Sequence, residues 1–457
     1  MIRGIALVLP LLATACAGPN VETAKIPPVV PPQGWRLDLG PGVPIDAEWW
    51  RGFGDPQLSS LVEQALARNA DVAIAAARVR EARAQQDLAR SALLPTLDTG
   101  VGASDSRSVN AFGQPVEQRA AQPQLQAAWE IDLFGRLSDQ VSAARSAWLA
   151  SAAARDAARL SVASATASAY VALLALDDRL ALARRTSDIR KGARDLIARR
   201  VETGYSPKLE LQQAEVDYQS ALLLIPAIEQ ARARQENALS VLVGRVPGPV
   251  ERGRGLDALS RPPLPGSLPS ELLRRRPDVA QAEYQLAASD SNLAAARKRF
   301  LPQVKLSAST GAAFSSLLSG PIALWSVGGS ILAPLFEGGR LRAGVGTAAA
   351  QRDAAAFAYR KAALTAFREV NDALAAVDGQ DRQVHIQTRQ RDTLAEANRL
   401  ATNRYREGYS PLLEQLDTQR GLLSAELALI QTKADAYSAR ISLYQALGGG
   451  WSPSEGP

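Results

Sequence analysis

Two residue types that often carry chemistry occur once each in this chain of 457 residues, as Cys16 and His385. A single cysteine cannot form an intramolecular disulfide, and it excludes zinc sites built from several cysteines. A single histidine leaves no histidine cluster for a metal ion. His385 lies among arginines and glutamines in a predicted helix with no nucleophile motif nearby, which favours a solvated histidine over a Ser–His–Asp site. We therefore expect neither an enzyme nor a bound metal or cofactor.

Acidic residues provide one further candidate pattern. Glu414 and Asp417 are three positions apart in a predicted helix, so they share a helix face. No spacing elsewhere singles out a carboxylate pair for glycoside hydrolysis, and Asp177-Asp178 is interpreted as a helix irregularity rather than a metal site. The formal net charge of +6 is spread over both halves, which does not indicate a nucleic-acid partner.

The N-terminus has the pattern of an export signal. Arg3 precedes a short apolar run at 5–12, and the small residues Ala13-Thr14-Ala15 stand directly before Cys16. The run is too short to span a bilayer of about 30 Å, so residues 1–15 are predicted to be a cleaved signal peptide. The site resembles a lipobox, with Ala13 where leucine is usual, and by that resemblance Cys16 is lipidated; the alternative is an ordinary signal peptidase site. In lipoproteins an aspartate after the cysteine marks inner-membrane retention, and Ala17 instead implies the outer membrane.

The chain contains an internal duplication. Leu66 to Pro95 aligns with Leu273 to Pro302, and the turn at 204–207, Gly-Tyr-Ser-Pro, returns at 408–411. Copies of about 200 residues are too long for solenoid repeats, whose period is roughly 20–50 residues. The predicted organisation is a lipidated segment at 16–55, a first repeat at 56–243, a Pro/Gly-rich linker at 244–269, a second repeat at 270–447 and a tail at 448–457.

Each repeat is predicted to contain a helix, two strands, a very long helix, a turn and a returning helix. Leu137 to Thr203 and Leu341 to Glu407 contain no proline. At 1.5 Å per residue, helices of roughly 65 residues reach about 100 Å, which suggests a coiled coil or a tube. Irregularities in these helices are expected near Asp177-Asp178 and Asp378-Gly379.

Four segments alternate between apolar and polar residues. They lie near 95–107, 119–133, 302–313 and 323–335. Their length and alternation are typical of tilted transmembrane β-strands, although a half-buried soluble sheet alternates in the same way. The scarce aromatic residues at their ends and the small polar residues on the opposite face favour the membrane. Four strands cannot close a barrel, so a membrane sheet would have to be shared between copies of the chain.

Several motifs resemble one known family, the outer-membrane efflux lipoproteins of the TolC/OprM (NodT) type. They occur in the family's order along essentially the whole chain: Trp49-Trp50 with Phe53 and Asp55-Pro56, Trp129 to Arg136, Arg275 to Val279 with Ala282-Glu283, Pro334 to Arg340, and Phe367 to Val370. The resemblance implies a TolC-like trimeric α/β barrel, mainly α with transmembrane β. Each chain would supply four strands to a shared 12-stranded β-barrel above a 12-helix periplasmic α-barrel with an equatorial belt.

The same resemblance implies function and partners. The homotrimer would be a passive exit duct for drugs or other small toxic compounds, lipid-anchored in the outer membrane and extending into the periplasm. An inner-membrane transporter of the resistance-nodulation-division (RND) kind would load it, and a periplasmic membrane-fusion adaptor would bridge the two. No GxxxxGK[ST] phosphate loop is present to energise transport. The alternatives are a type I protein-secretion duct and, in a different class, a periplasmic coiled-coil scaffold lipoprotein without a pore.

Site residues carried over from the family lie at the helical turns. Glu414 and Asp417, with Glu210 in the first repeat and Tyr405, would form the narrow periplasmic aperture; a solvated acidic helix start is the alternative for the carboxylates. Ser410 stands where some relatives carry an arginine that latches the closed state, and Arg404 or Arg406 could substitute. The residues expected to meet the adaptor are Gly204, Tyr205, Ser206, Gly408, Tyr409 and Ser410.

Overall fold

The structure, a computed structural model, describes residues 21–37, 45–264 and 269–452. Cys16 and the predicted signal peptide lie outside the described residues. The chain divides into two units. The first contains the described residues up to Pro28, Ala77–Ala152 and Gln281–Lys361; the second contains those of Val29–Ala76, Ala153–Ala280 and Ala362–Pro457.

Helices and strands follow one another twice in the same order. The elements are α1 Pro56–Arg68, α2 Ala70–Ser91, β1 Thr96–Val109, β2 Pro115–Ile131, α3 Arg136–Glu202, α4 Lys208–Leu242, α5 Pro269–Arg275, α6 Pro277–Lys298, β3 Gln303–Ser315, β4 Ile322–Leu332, α7 Arg340–Arg406 and α8 Leu412–Ala446. Short 3-10 helices occupy Trp49–Phe53 and Leu256–Ala258. The matching helices are equal in length, with 22 residues in α2 and α6, 67 in α3 and α7, and 35 in α4 and α8. This equality confirms the internal duplication.

The first helix of each repeat is interrupted, although the sequence predicts a single helix there. Asn69 leaves the helical conformation and ends α1. Its Oδ1 accepts hydrogen bonds from the backbone N–H of Asp71 (2.8 Å) and Val72 (3.3 Å), which caps α2. In the second repeat the break falls at Arg276, directly before Pro277, where a proline disfavours the helical conformation of the residue preceding it.

The helix irregularities expected in the middle of the long helices are absent. Both α3 and α7 continue without a break through Asp177-Asp178 and Asp378-Gly379. A glycine costs about 1 kcal/mol in a helix interior and an aspartate less, which is too little to break a long helix that packs along its length. Asp177 also gains a partner, since Arg252 Nε donates to its Oδ2 at 2.8 Å.

The four strands form one antiparallel sheet in the order β1-β2-β3-β4. One row of directly opposed residues is apolar: Leu97, Ala127, Ala308 and Val327. The adjacent row is polar: Asp98, Gln126, Ser309 and Ser326. Since opposed residues share a face, the sheet has one apolar and one polar face, as the alternation predicts. Among the described residues, the outer edges of β1 and β4 pair with no further strand.

The largest core of the second unit joins α1, the middle of α3 and the end of α8 with part of the predicted linker. Its members include Phe53, Leu61, Leu174, Leu256 and Ile441. A short chain of buried hydrogen bonds lies within this core. Tyr170 Oη donates to Asp55 Oδ2 at 2.9 Å and accepts a hydrogen bond from the Gly253 N–H at 2.8 Å. Burial raises the pKa of Tyr170. The linker is therefore an ordered, packed segment where the structure describes it.

Candidate functional site

Two matching turns join the long helices to the returning helices. Gly204 and Gly408 adopt φ values of +80° and +79°, a left-handed conformation that favours glycine. The N–H of Tyr205 donates to the Arg200 carbonyl, and the N–H of Tyr409 to the Arg404 carbonyl, both at 2.8 Å. These are Schellman motifs, in which a residue beyond the helix satisfies a carbonyl of the last turn. The turns are thus fixed in shape.

Both turns expose an aromatic side chain. Tyr205 is 87% exposed and Tyr409 is 77% exposed. Pro207 and Pro411 occupy the N-cap positions of α4 and α8. Proline's fixed φ suits that place and helps begin the returning helix.

Tyr405 and Glu210 are brought together across the two hairpins. The Tyr405 hydroxyl, near the end of α7, donates to Glu210 Oε2, in the first turn of α4, at 3.4 Å. Burial raises the pKa of Tyr405, and the negative charge of Glu210 raises it further. Beside this contact, a small apolar cluster joins the hairpins through Ile197, Leu412 and Leu416.

Glu414 and Asp417 share a face of α8 but contact different partners. Glu414 Oε1 lies 3.5 Å from Arg404 Nε on α7. Asp417 lies 3.5 Å from Arg420 on its own helix, and its side chain is 76% exposed. Within one chain both pairs are solvated, and such ion pairs contribute about 0–1 kcal/mol each.

The buried charged centre of this region is Asp217, which the sequence did not single out. Arg190 Nε on α3 lies 3.0 Å from Asp217 Oδ2, and Arg190 Nη1 donates to the Asp217 backbone carbonyl at 2.9 Å. Arg420 Nε on α8 donates to the other carboxylate oxygen at 3.0 Å. The side chains of Arg190 and Asp217 are only 5% and 3% exposed. One carboxylate therefore joins both hairpins.

The only sequence signal for Asp217 is its position seven residues after Glu210, which puts both on one face of α4. Sequence spacing does not show that this helix face is buried, because the residues that pack over it belong to α3 and α8.

His385 is the remaining candidate from the sequence. His385 lies in α7 beside Asp381, whose carboxylate accepts a hydrogen bond from Arg440 at 2.6 Å. Among the described residues, no group of three or more His, Cys, Asp or Glu side chains is placed to hold a metal ion.

Comparison with known proteins gives matches over nearly the whole chain. Residues 61–245 and 268–449 match the sequence model of the outer membrane efflux protein family. The chain is 34% identical to the pyoverdine export outer membrane protein OpmQ of Pseudomonas aeruginosa, covering 92% of this chain and 91% of that protein. It is 32% identical to the antibiotic efflux pump outer membrane protein ArpC of Pseudomonas putida, covering 89% and 86%. Its fold matches the MtrE outer membrane channel of Neisseria gonorrhoeae with a TM-score of 0.83 and 30% identity, covering 96% and 99%.

Proposed function

The chain belongs to the outer membrane efflux protein family, and from that premise we propose that three copies close one outer-membrane exit duct for efflux. Its fold is that of the TolC-like channels. The observation that carries the proposal is the sheet, which has an apolar face, a polar face and two unpaired edges among the described residues. Unpaired backbone groups cost several kcal/mol each in lipid, and bacterial barrels have about eight strands or more. Three chains supply twelve strands and leave no edge.

We propose that the duct is passive and forms part of a tripartite pump. An inner-membrane RND transporter loads it and a periplasmic membrane-fusion adaptor connects the two. The sequence contains no phosphate-binding loop of the GxxxxGK[ST] kind, which supports a separate source of energy. The names of the relatives, which include pyoverdine export and antibiotic efflux, support small toxic or secreted compounds as cargo.

The exposed side chains of Tyr205 and Tyr409 in the two fixed turns support these turns as the adaptor's docking points.

A lipid anchor at Cys16 is compatible with where the described chain begins. Val21 packs against a cluster that includes Val345 and Phe300, and Phe300 is three residues before β3. Cys16 lies five positions before Val21, a stretch that spans at most about 18 Å. The lipid anchor that we propose at Cys16 therefore starts within about 18 Å of Val21.

We propose that Glu414, Asp417, Glu210 and Tyr405 set the narrow periplasmic end of the duct. Threefold symmetry would gather the exposed carboxylates of Glu414 and Asp417 from three chains around one axis. There, each charge-assisted hydrogen bond to a neighbouring chain would be worth roughly 1.5–3 kcal/mol if shielded from water.

The purified chain in planar bilayers tests this aperture. The double variant Glu414→Ala/Asp417→Ala should conduct more than the parent, because the carboxylates that tie the constriction are gone. The variant Asp392→Ala/Glu396→Ala is the matched control, since it removes two exposed carboxylates from α7 whose partners, Arg391 and Arg399, lie on the same helix. A conductance of the first variant equal to that of the parent would show that Glu414 and Asp417 only begin a solvated helix.

A further inference from the structure

A cavity of about 420 Å³ lies where the ends of α3 and α7 meet the beginnings of α4 and α8. Much of its wall is apolar and includes Ile189, Leu196, Ile197, Leu412 and Leu416. Such a wall favours a ligand with a hydrocarbon portion, since burying apolar surface yields roughly 25 cal/mol per Å².

The charges that line the cavity are predominantly positive. Three arginines line it, Arg190, Arg200 and Arg406, against one carboxylate, that of Asp217. Asp217 is already occupied on both oxygens by Arg190 and Arg420. Counted over its lining residues, the cavity therefore has a net positive charge, which favours an anionic ligand.

Arg190 is the residue that points most directly to such a ligand. Its side chain is 95% buried, and its Nη2 has no hydrogen-bond partner among the described residues. Burial lowers the pKa of Arg190, and the like charge of Arg420 opposes the stabilising charge of Asp217. A buried donor without a partner is costly, particularly on a charged group, and an anion in this cavity would satisfy it.

We propose that this cavity binds an amphiphilic organic anion, such as a medium-chain carboxylate, with its charged group at Arg190 and its hydrocarbon chain against Leu196 and Leu412. An inorganic anion would leave the apolar wall unused. An uncharged amphiphile can accept a hydrogen bond from Arg190 Nη2 but brings no negative charge to balance the lining arginines. The cavity is lined by residues of a single chain, and one of them, Tyr405, also belongs to the proposed aperture.

Calorimetric titration of the full-length protein in nanodiscs tests the proposal, with empty nanodiscs as the blank. The probes are hexanoate, the uncharged hexanol and inorganic phosphate. Hexanoate should bind saturably and more tightly than hexanol or phosphate. Arg190→Met should raise the Kd for hexanoate at least tenfold and leave the weak binding of hexanol unchanged. Arg184→Met is the matched control, because Arg184 lies on the same helix, pairs with Glu229 and does not line the cavity.

A second variant protects the test against misfolding. If Arg190→Met does not assemble, Arg406→Met removes another lining cation that does not contact Asp217, and it should also weaken hexanoate binding. Absence of saturable hexanoate binding to the parent protein, or equal hexanoate affinity in the parent and the assembled lining variant, would overturn the proposal. Phosphate binding as tight as hexanoate would overturn its amphiphilic part. Channel conductance measured on the same samples separates a failure of this site from a failure of the duct.

Discussion

Replacement of Asp217 by alanine should loosen the two helical hairpins more than any other single carboxylate change near the turns. Asp217 holds Arg190 of α3 and Arg420 of α8 through separate oxygens, each at 3.0 Å. Its removal leaves the buried Arg190 guanidinium without a counter-charge, whereas Arg420, 46% exposed, can turn to water.

The two ion pairs of Asp217 differ in the free energy that their loss is expected to cost. Breaking a buried ion pair by removing one partner costs about 3–5 kcal/mol. A half-exposed pair such as that of Arg420 adds about 0–1 kcal/mol. A loss of at least 3 kcal/mol in the free energy of local opening corresponds to roughly 100-fold faster hydrogen exchange, since about 1.4 kcal/mol is a factor of ten.

Hydrogen exchange of the assembled protein measures this loss directly. In Asp217→Ala, backbone amides near Arg190 and in the first half of α4 should exchange roughly 100-fold faster, while those around Leu174 in the large core stay protected. Asp417→Ala is the control, since Asp417 also contacts Arg420 but is exposed, and it should change exchange by no more than about fivefold. The double variant Arg190→Met/Asp217→Leu should recover most of the protection, because an apolar pair of similar volume can replace a buried ion pair. Unchanged exchange in Asp217→Ala would refute the central role of this carboxylate.

Two further predictions concern the N-terminus and the core. Cys16→Ser should abolish labelling of the protein by radioactive fatty acid in growing cells, and retained labelling would rule out Cys16 as the lipid site. Because burial raises the pKa of Tyr170 above its ordinary value of 10.0, its stabilising effect is complete below pH 10 and is lost as the pH rises through the folded-state pKa. Heat denaturation should therefore show the parent losing more stability than Tyr170→Phe between pH 8 and pH 11, and equal losses would contradict this assignment.

The sequence predicts those elements whose signals are local. The two-residue alternation around Leu97 and Leu125 predicts both strand position and face, because it directly reflects the geometry of a sheet. The absence of proline across α3 and α7, and the glycines at 204 and 408, predict the long helices and their ends.

Features set by distant packing were not predicted. The break at Asn69 depends on its amide, which caps α2 and also donates to the Leu242 carbonyl at 3.0 Å from the far end of α4. Asp217 looks like any charged position on a long helix until α3 and α8 cover it. Glu414 and Asp417 do share a face, as their spacing requires, but spacing does not reveal that their partners lie on different helices.

The mass of the purified protein in detergent tests the central claim most directly, because the open edges of β1 and β4 require other chains to close the sheet. Native mass spectrometry or light scattering corrected for detergent should give three copies of the chain, with β-strand content retained only in that assembly. A stable monomer with the full β-strand content would contradict the shared barrel and, with it, the account of this protein as an exit duct.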